Sequence, residues 1–118
     1  MDFDNNDAQV IDTELGLSLA NNKADLAENL LKMLVDELPA TKKSLLAIYK
    51  QQDYEALHKE VHKLHGGCCY CGVPRLKTAA ASLETALKNG NTESEKIAPL
   101  FEALTFEIDQ VLACYEEP

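Results

Sequence analysis

Apolar residues recur at alternating intervals of three and four along most of this chain, and no segment shows the period of two that a half-buried strand requires. This spacing predicts α-helices that each bury one side. The clearest case is the stripe formed by Tyr54, Leu57, Val61, Leu64 and Cys68. With 118 residues, and only 5 Gly and 4 Pro available for turns, the chain is expected to form one all-α domain.

The first half of the sequence predicts a loose segment, a short helix and a long helix. Residues 1–11 are mostly polar and are expected to form a flexible lead-in, after which Asp12 is a suitable N-cap for the short helix. A long helical pattern covers residues 24–51, with a kink or a brief interruption expected at Pro39. The predicted core face of this long helix contains Leu26, Leu30, Met33, Leu34, Leu45, Ile48 and Tyr49.

Three further helices are expected in the second half. Asp53 is a suitable N-cap for the third helix, Gly72 is placed to stop it, and Pro74 is placed to open the fourth. Thr92 and Glu95 have the spacing of a capping box for the fifth helix. The buried sides of the last two helices are expected to contain Leu76, Ala80, Leu83, Leu87, Ile97, Phe101, Leu104, Ile108, Val111 and Tyr115. Because the connections are short, residues 12–118 are expected to form an antiparallel four-helix bundle with one short additional N-terminal helix.

The net charge of −9, from 20 acidic against 11 basic side chains, excludes several classes of function. A nucleic-acid-binding protein needs a basic face for the phosphates, and an anionic membrane surface also attracts basic segments, so neither contact is expected. No stretch approaches the roughly 18 apolar residues that would span a bilayer, and the acidic N-terminus does not resemble a secretory signal. We therefore expect a cytoplasmic domain that is a monomer when isolated.

The cysteines of this chain are interpreted as reduced thiols rather than as a disulfide framework. No export signal supports disulfides, and three of the four cysteines crowd at the end of one predicted helix, where they would be poor staples for distant segments. Free cysteine is commonly a small buried residue. Cys68, Cys71 and Cys114 are therefore expected to lie in the core.

The third predicted helix carries three histidines, His58, His62 and His65, beside its apolar stripe. At about 100° per residue, His62 points roughly 130° away from the centre of that stripe, which predicts an exposed imidazole. Gly66 follows one turn later and Gly67 comes next, although glycine within a helix costs about 1 kcal/mol relative to alanine. The missing side chains would leave room for another protein to approach His62, unless the helix frays there or a neighbouring helix packs closely.

An exposed imidazole is largely neutral at pH 7, and its unprotonated nitrogen is a nucleophile that can accept a phosphoryl group. The sequence contains neither a GxxxxGK[ST] loop nor a glycine-rich turn that would hold a nucleotide, so no kinase or ATP-binding activity is expected. A phosphoryl group that reaches His62 would therefore have to be brought by a second protein.

The segment around His62 resembles the signature of histidine phosphotransfer (HPt) domains. The matching residues are the run H-K-L-H-G from His62 to Gly66, then Gly72, Leu76 and Leu83–Glu84, with Ile11–Asp12, Leu15–Gly16–Leu17, Asp25–Leu26 and Leu38–Pro39 upstream. The resemblance covers roughly residues 11–115. Within the family, residues 62–77 are most similar to the C-terminal domain of hybrid sensor kinases of the BarA/GacS type.

The resemblance implies a phosphorelay function in two-component signal transduction. His62 would be the phosphoacceptor, which takes the group from an aspartate of a receiver domain in a hybrid sensor kinase and passes it to an aspartate of a response regulator. His65 would support the phosphate at a position where most members have lysine, and Glu84 would orient His62, with Lys59 as a further supporting cation. No cofactor is implied in this chain, because the Mg²⁺ of such a system belongs to the receiver domain.

The resemblance also implies a docking surface for receiver domains around His62. Gly66 matches the small residue that admits the receiver, and Lys63 would face its acidic cleft. Exposed apolar residues near the histidine would complete the surface, for which Leu15, Leu19 and Val73 are the candidates.

Two other interpretations of the sequence remain open. The three histidines and the nearby cysteines could form a metal site, because imidazole and thiolate suit zinc, although the C-x₂-C spacing is absent. The chain could also be a helical adaptor without a chemical role. Phosphotransfer requires His62, whereas partner binding by an adaptor should be indifferent to it.

Overall fold

The structure, a computed structural model, describes residues 8–90 and 92–115. Over these ranges it contains five α-helices and no strand, which confirms the predicted all-α class. The helices are α1 (Thr13–Leu19), α2 (Ala24–Lys50), α3 (Tyr54–Cys68), α4 (Pro74–Lys88) and α5 (Ser94–Cys114). The four long helices close a ring, because α2 packs against α3, α3 against α4, α4 against α5, and α5 against α2, while α1 lies against α2. None of the described helices is long and apolar enough to cross a membrane.

The helix starts follow the capping chemistry of the sequence at three of four predicted positions. The Asp12 carboxylate accepts a hydrogen bond from the backbone N–H of Leu15 at 3.0 Å, and Asp53 accepts one from Ala56 at 3.1 Å. Pro74 is the first residue of α4, as predicted. The capping box predicted for α5 is wrong, because that helix begins one residue later than the box requires, with Glu93 at the N-cap and no side-chain capping bond.

Of the kink or brief interruption predicted for the long helix α2 at Pro39, the interruption is absent, because α2 is continuous across Pro39. The fully buried Leu38 and Leu45 anchor this part of the helix. Leu26 and Met33, which were assigned to its core face, are 42% and 59% exposed. The physical reason is length: α2 has 27 residues and its neighbour α3 has 15, so α2 has fewer partners along its N-terminal half.

The core is built from the apolar stripes of the four long helices. The predicted residues of α3, α4 and α5 are buried, apart from Tyr54 and Tyr115, which are half-buried against the core. Between α2 and α5 the rings of Tyr49 and Phe101 stack with centroids 4.0 Å apart. Cys68 and Cys71 are buried as predicted, but the prediction for Cys114 is wrong, because this last residue of α5 is exposed.

The start of α1 is tied to the connection between α3 and α4. The backbone N–H of Asp12 donates to the carbonyl oxygen of Gly72 at 2.7 Å. A Cβ atom on Gly72 would lie 2.1 Å from the carbonyl oxygen of Asp12, so only glycine fits this close approach of two backbones. Gly72 therefore does not stop α3, which ends at Cys68, but serves the packing of α1.

The structure describes only the end of the predicted flexible lead-in, residues 1–11. Residues 1–7 lie outside the described part of the chain. Val10 and Ile11 pack against the core. The packed domain therefore extends at least to Val10, two residues before the boundary drawn from the sequence.

Candidate functional site

His62 lies on the outer side of α3, where 72% of its side chain is exposed. Its neighbours Val61 and Leu64 are buried in the core, so the helical repeat directs His62 to solvent, in agreement with the helical-wheel expectation. The anchoring of α3 through Val61 and Leu64 gives this exposed side chain a rigid base.

One carboxylate on α4 contacts two histidines on α3. His62 Nδ1 forms a hydrogen bond with Oε2 of Glu84, and His65 Nδ1 lies 2.8 Å from the other oxygen, Oε1. The Glu84 side chain is 16% exposed, and His65 is 27% exposed, so both lie deeper than His62. The resemblance implies that Glu84 orients His62, and the structure places the two side chains in contact. The contact of Glu84 with His65 was not foreseen.

The charge state of Glu84 determines where the protons of the two histidines lie. Partial burial alone would raise the pKa of Glu84, but the hydrogen bonds and the charges of His62 and His65 lower it more strongly, so the net pKa lies below its ordinary value. An ionised carboxylate only accepts hydrogen bonds. Both Nδ1 atoms must therefore carry the proton, which leaves Nε2 of a neutral His62 with a free electron pair directed away from Glu84.

Replacing Glu84 with glutamine should lower the free energy of unfolding by about 1–2 kcal/mol at neutral pH, since two hydrogen bonds to a charged acceptor are lost or weakened. A lowered pKa in the folded state means that the contribution of Glu84 is present above the ordinary carboxyl pKa and is lost as the pH falls through the folded-state pKa. Urea unfolding at several pH values should thus show a difference that is present at neutral pH and shrinks only once the pH falls below the ordinary carboxyl pKa. A difference independent of pH would contradict this assignment.

Two lysines line the groove that contains His62. The groove beside its imidazole is lined by His58, Lys59, Glu84 and Lys88. Lys59 was a candidate from the sequence, whereas Lys88 was missed. Its position four residues after Glu84 on α4 is the signal that could have found it, because residues at this spacing share a helix face.

Gly66 lies in the last turn of α3, exposed to solvent. A Cβ atom on Gly66 would meet no atom within 4 Å, and one on Gly67 would lie 3.7 Å from the Leu34 side chain, which is an ordinary contact. Both residues are within the helix, so fraying does not explain them. Nothing in the described chain requires a glycine at Gly66, although it weakens the helix by about 1 kcal/mol.

The apolar docking candidates separate into exposed and buried residues. Leu15 and Leu19 are 36% and 43% exposed and line a groove between α1 and α4. Val73 is fully buried, so its assignment to an exposed docking surface is wrong. The reason is that Val73 precedes α4 directly and belongs to the connection that packs against the start of α1.

A second apolar groove lies between α2 and α3 and includes Lys63, the residue after His62. Its exposed apolar members are Met33 and Tyr70, which are 59% and 64% exposed, and Gly67 forms part of its wall. We call this surface the α2–α3 groove. The sequence did not reveal it, because Met33 carries the same spacing as the core residues of α2.

The cysteines do not join the histidines in a metal site. Burial, with smaller effects from the neighbouring Cys71 and Cys69, raises the pKa of Cys68 to about 12, and burial raises that of Cys71 to about 11. The Cys71 thiol donates a hydrogen bond to the carbonyl oxygen of Leu30 at 3.4 Å. Among the described residues, no group of three or more His, Cys, Asp or Glu side chains is arranged to hold a metal ion. The structure thus provides no support for the metal alternative.

A helical bundle with an exposed histidine on one of its long helices agrees with the resemblance to histidine phosphotransfer domains. The family model of the Hpt domain matches residues 29–114, and the chain belongs to this family of two-component signalling domains.

The curated relatives that match this chain are sensor kinases. The chain is 42% identical over 87 residues to "Sensor protein GacS" of Pseudomonas syringae pv. syringae, a match that covers 74% of this chain and 10% of the relative. It is 38% identical over 101 residues to "Signal transduction histidine-protein kinase BarA" of Escherichia coli K12, covering 86% of this chain and 11% of the relative. The chain therefore spans about a tenth of the length of these relatives, as expected from the resemblance to one domain of a hybrid sensor kinase.

Solved structures agree with this assignment. The HPT domain of a sensor hybrid histidine kinase from Shewanella matches with a TM-score of 0.74 and 35% identity, covering 94% of this chain and 100% of that one. The histidine-containing phosphotransfer protein HptB of Pseudomonas aeruginosa matches with a TM-score of 0.73 and 24% identity, over 90% of each chain, and supports the fold alone.

Proposed function

We propose that His62 accepts a phosphoryl group on Nε2 from the aspartyl phosphate of one receiver domain and passes it to an aspartate of a second receiver, in a response regulator. The observation that carries this proposal is the hydrogen bond from Nδ1 of an exposed imidazole to a half-buried carboxylate. That bond selects Nε2 as the nucleophile and leaves it accessible to a partner. By the similarity to sensor kinases, the donor receiver would belong to a hybrid sensor kinase.

The transfer balances without a proton acceptor on this chain. The electron pair of Nε2 forms the new N–P bond while the P–O bond to the aspartyl group breaks, and its electron pair stays on the aspartate carboxylate. The imidazole ring becomes positively charged and keeps its Nδ1 proton, which the ionised Glu84 stabilises. In the reverse direction the protonated ring is a good leaving group, so the same contact serves both transfers.

The lysines of the groove would partly neutralise the negative charge of a phosphoryl group on His62. A phosphoryl group on His62 would add about two negative charges beside Glu84, an unfavourable approach of like charges. Lys59 and Lys88 line the same groove and offset that repulsion. The remaining neutralisation would come from the Mg²⁺ of the receiver during transfer.

The surroundings of Gly66 support receiver docking. Gly66 is open to solvent within one turn of His62, and the α2–α3 groove with Lys63, Met33 and Tyr70 adjoins it on one side. The groove that contains Leu15 and Leu19 offers a second apolar surface, next to α4. These apolar surfaces complement a receiver that is apolar beside its active site, while the charged lining of the α2–α3 groove is mixed, with Lys63 beside Glu37 and Glu60.

Replacing Gly66 with leucine should slow phosphoryl transfer about 10- to 100-fold, because the new side chain would displace the partner from the position required for in-line attack. The fold should not suffer, since leucine is favoured over glycine in a helix by roughly 0.8 kcal/mol and its Cβ at this exposed position would meet no atom within 4 Å. Transfer rates from a phosphorylated receiver and thermal unfolding measure the two effects. Ala103→Leu, at an exposed position of α5 that lines a different groove, is the matched control and should transfer normally. An unchanged rate in Gly66→Leu would remove Gly66 from the docking surface.

Incubation with a purified, phosphorylated receiver domain tests the proposed function directly. The chain should acquire a phosphoryl bond that is labile in acid and stable in base, and a second receiver should then remove it. A chain that binds receivers but never becomes labelled would instead be a helical adaptor.

A further inference from the structure

The carboxylate of Glu84 is shared between two histidines, and only one of them is exposed enough to react. His62 is 72% exposed, whereas His65 is 27% exposed. His65 Nδ1 contacts Glu84 Oε1 at 2.8 Å and therefore does not point its Nδ1 proton at a phosphate on His62. We propose that His65 is a positioning residue, which holds the Glu84 carboxylate so that its other oxygen keeps His62 protonated on Nδ1. The inference rests on the proposed phosphotransfer at His62.

The geometry explains why one hydrogen bond is not sufficient. The terminal torsion of a glutamate side chain is broad, so a carboxylate with a single partner can rotate out of the plane that His62 requires. His62 and His65 lie three residues apart on α3 and so project from the same side of that helix. With His62 bound to one oxygen and His65 to the other, two hydrogen bonds from the same helix fix the plane of the Glu84 carboxylate.

Burial makes His65 the more persistent of the two contacts. Water competes for the exposed imidazole of His62, while His65 is mostly shielded. Without His65, the oxygen Oε1 would lose its partner on a side chain that is only 16% exposed. The carboxylate would then recover a hydrogen-bond partner by turning toward water or toward Lys88, which lines the same groove. That rotation would break its contact with His62.

Two substitutions of His65 separate this role from general packing. His65→Leu keeps an apolar side chain of similar bulk but removes the donor. His65→Asn places an amide N–H close to the position of Nδ1, because the first three atoms of the two side chains correspond, and so restores the donor. Thermal unfolding of both variants verifies that the bundle is intact.

The tautomer of His62, meaning which of its ring nitrogens carries the proton, distinguishes a positioning role of His65 from a merely structural one. A merely structural role would leave this tautomer unchanged. We expect ¹⁵N spectra of the unphosphorylated chain at neutral pH to show His62 protonated on Nδ1 in the wild type and in His65→Asn, but as a mixture of both tautomers in His65→Leu. Transfer from a phosphorylated receiver should be about 5- to 10-fold slower in His65→Leu, the equivalent of one net hydrogen bond, and should recover in His65→Asn.

Several results would overturn the inference. An unchanged His62 tautomer in His65→Leu would show that Glu84 is held without His65, whatever the transfer rate. A slower rate with an unchanged tautomer would assign His65 to the phosphate instead. A failure of His65→Asn to restore the tautomer in a folded protein would also contradict it. The proposed function fails separately, if His62 carries no phosphoryl group, and the spectra do not depend on that outcome.

Discussion

Replacing His62 with glutamine is expected to reduce phosphoryl labelling of this chain below detection while the bundle remains folded. Glutamine has no nucleophilic nitrogen, because the electron pair of an amide is delocalised, so no N–P bond forms. It does retain an N–H donor that can contact Glu84. Since 72% of the His62 side chain is exposed, the free energy of unfolding should change by no more than about 1 kcal/mol.

The measurement is transfer of radiolabelled phosphate from a phosphorylated receiver, with urea unfolding of both proteins alongside. His58→Gln is the matched control, because His58 lies one turn earlier on α3, lines the same groove and undergoes the same chemical change. Labelling should survive in His58→Gln. If an acid-labile phosphate persisted in His62→Gln, or disappeared only in His58→Gln, the assignment of His62 would be wrong.

Replacing Gly72 with alanine should lower the free energy of unfolding by about 1–3 kcal/mol, a large effect for the addition of one methyl group. The new Cβ would lie 2.1 Å from the carbonyl oxygen of Asp12 and 2.7 Å from the backbone nitrogen of Gly16. Both are backbone atoms, so relief requires α1 to move as a unit and the 2.7 Å hydrogen bond from Asp12 to Gly72 to break. Urea unfolding measures the loss.

Gly66→Ala is the matched control for this prediction. The same substitution at Gly66 meets open space within a helix, so it should stabilise the chain by up to about 1 kcal/mol. The two glycine-to-alanine changes are thus expected to have opposite signs. If Gly72→Ala unfolded at the wild-type urea concentration, the close approach of α1 to the connection before α4 would be excluded.

The long, regular stripes of the sequence predicted the bundle well. The stripes of α3, α4 and α5 are buried almost without exception, since a helix that packs along its whole length buries whatever lies on one side. The Asp12 and Asp53 caps were readable for a similar reason, because a capping bond joins residues only three positions apart.

The errors lie where a residue's environment depends on a distant segment. Met33 has the spacing of a core residue but is 59% exposed, because its side chain lies at the open α2–α3 groove rather than in the core. Val73 is buried in the common core of the long helices, and Cys114 is exposed where α5 ends. Gly72 was interpreted as a helix stop, whereas the contact that requires it comes from Asp12, far away in sequence.

The sequence by itself determined that this chain is a helical bundle with an outward-facing His62, because periodicity and capping are properties of neighbouring residues. Only the tertiary structure decided that Glu84 on α4 reaches both His62 and His65 on α3, and that no atom of the described chain occupies the space beside Gly66. Those relations depend on the angle and distance at which two helices pack. Such a distance is set by the whole core and is not encoded in the spacing of either helix.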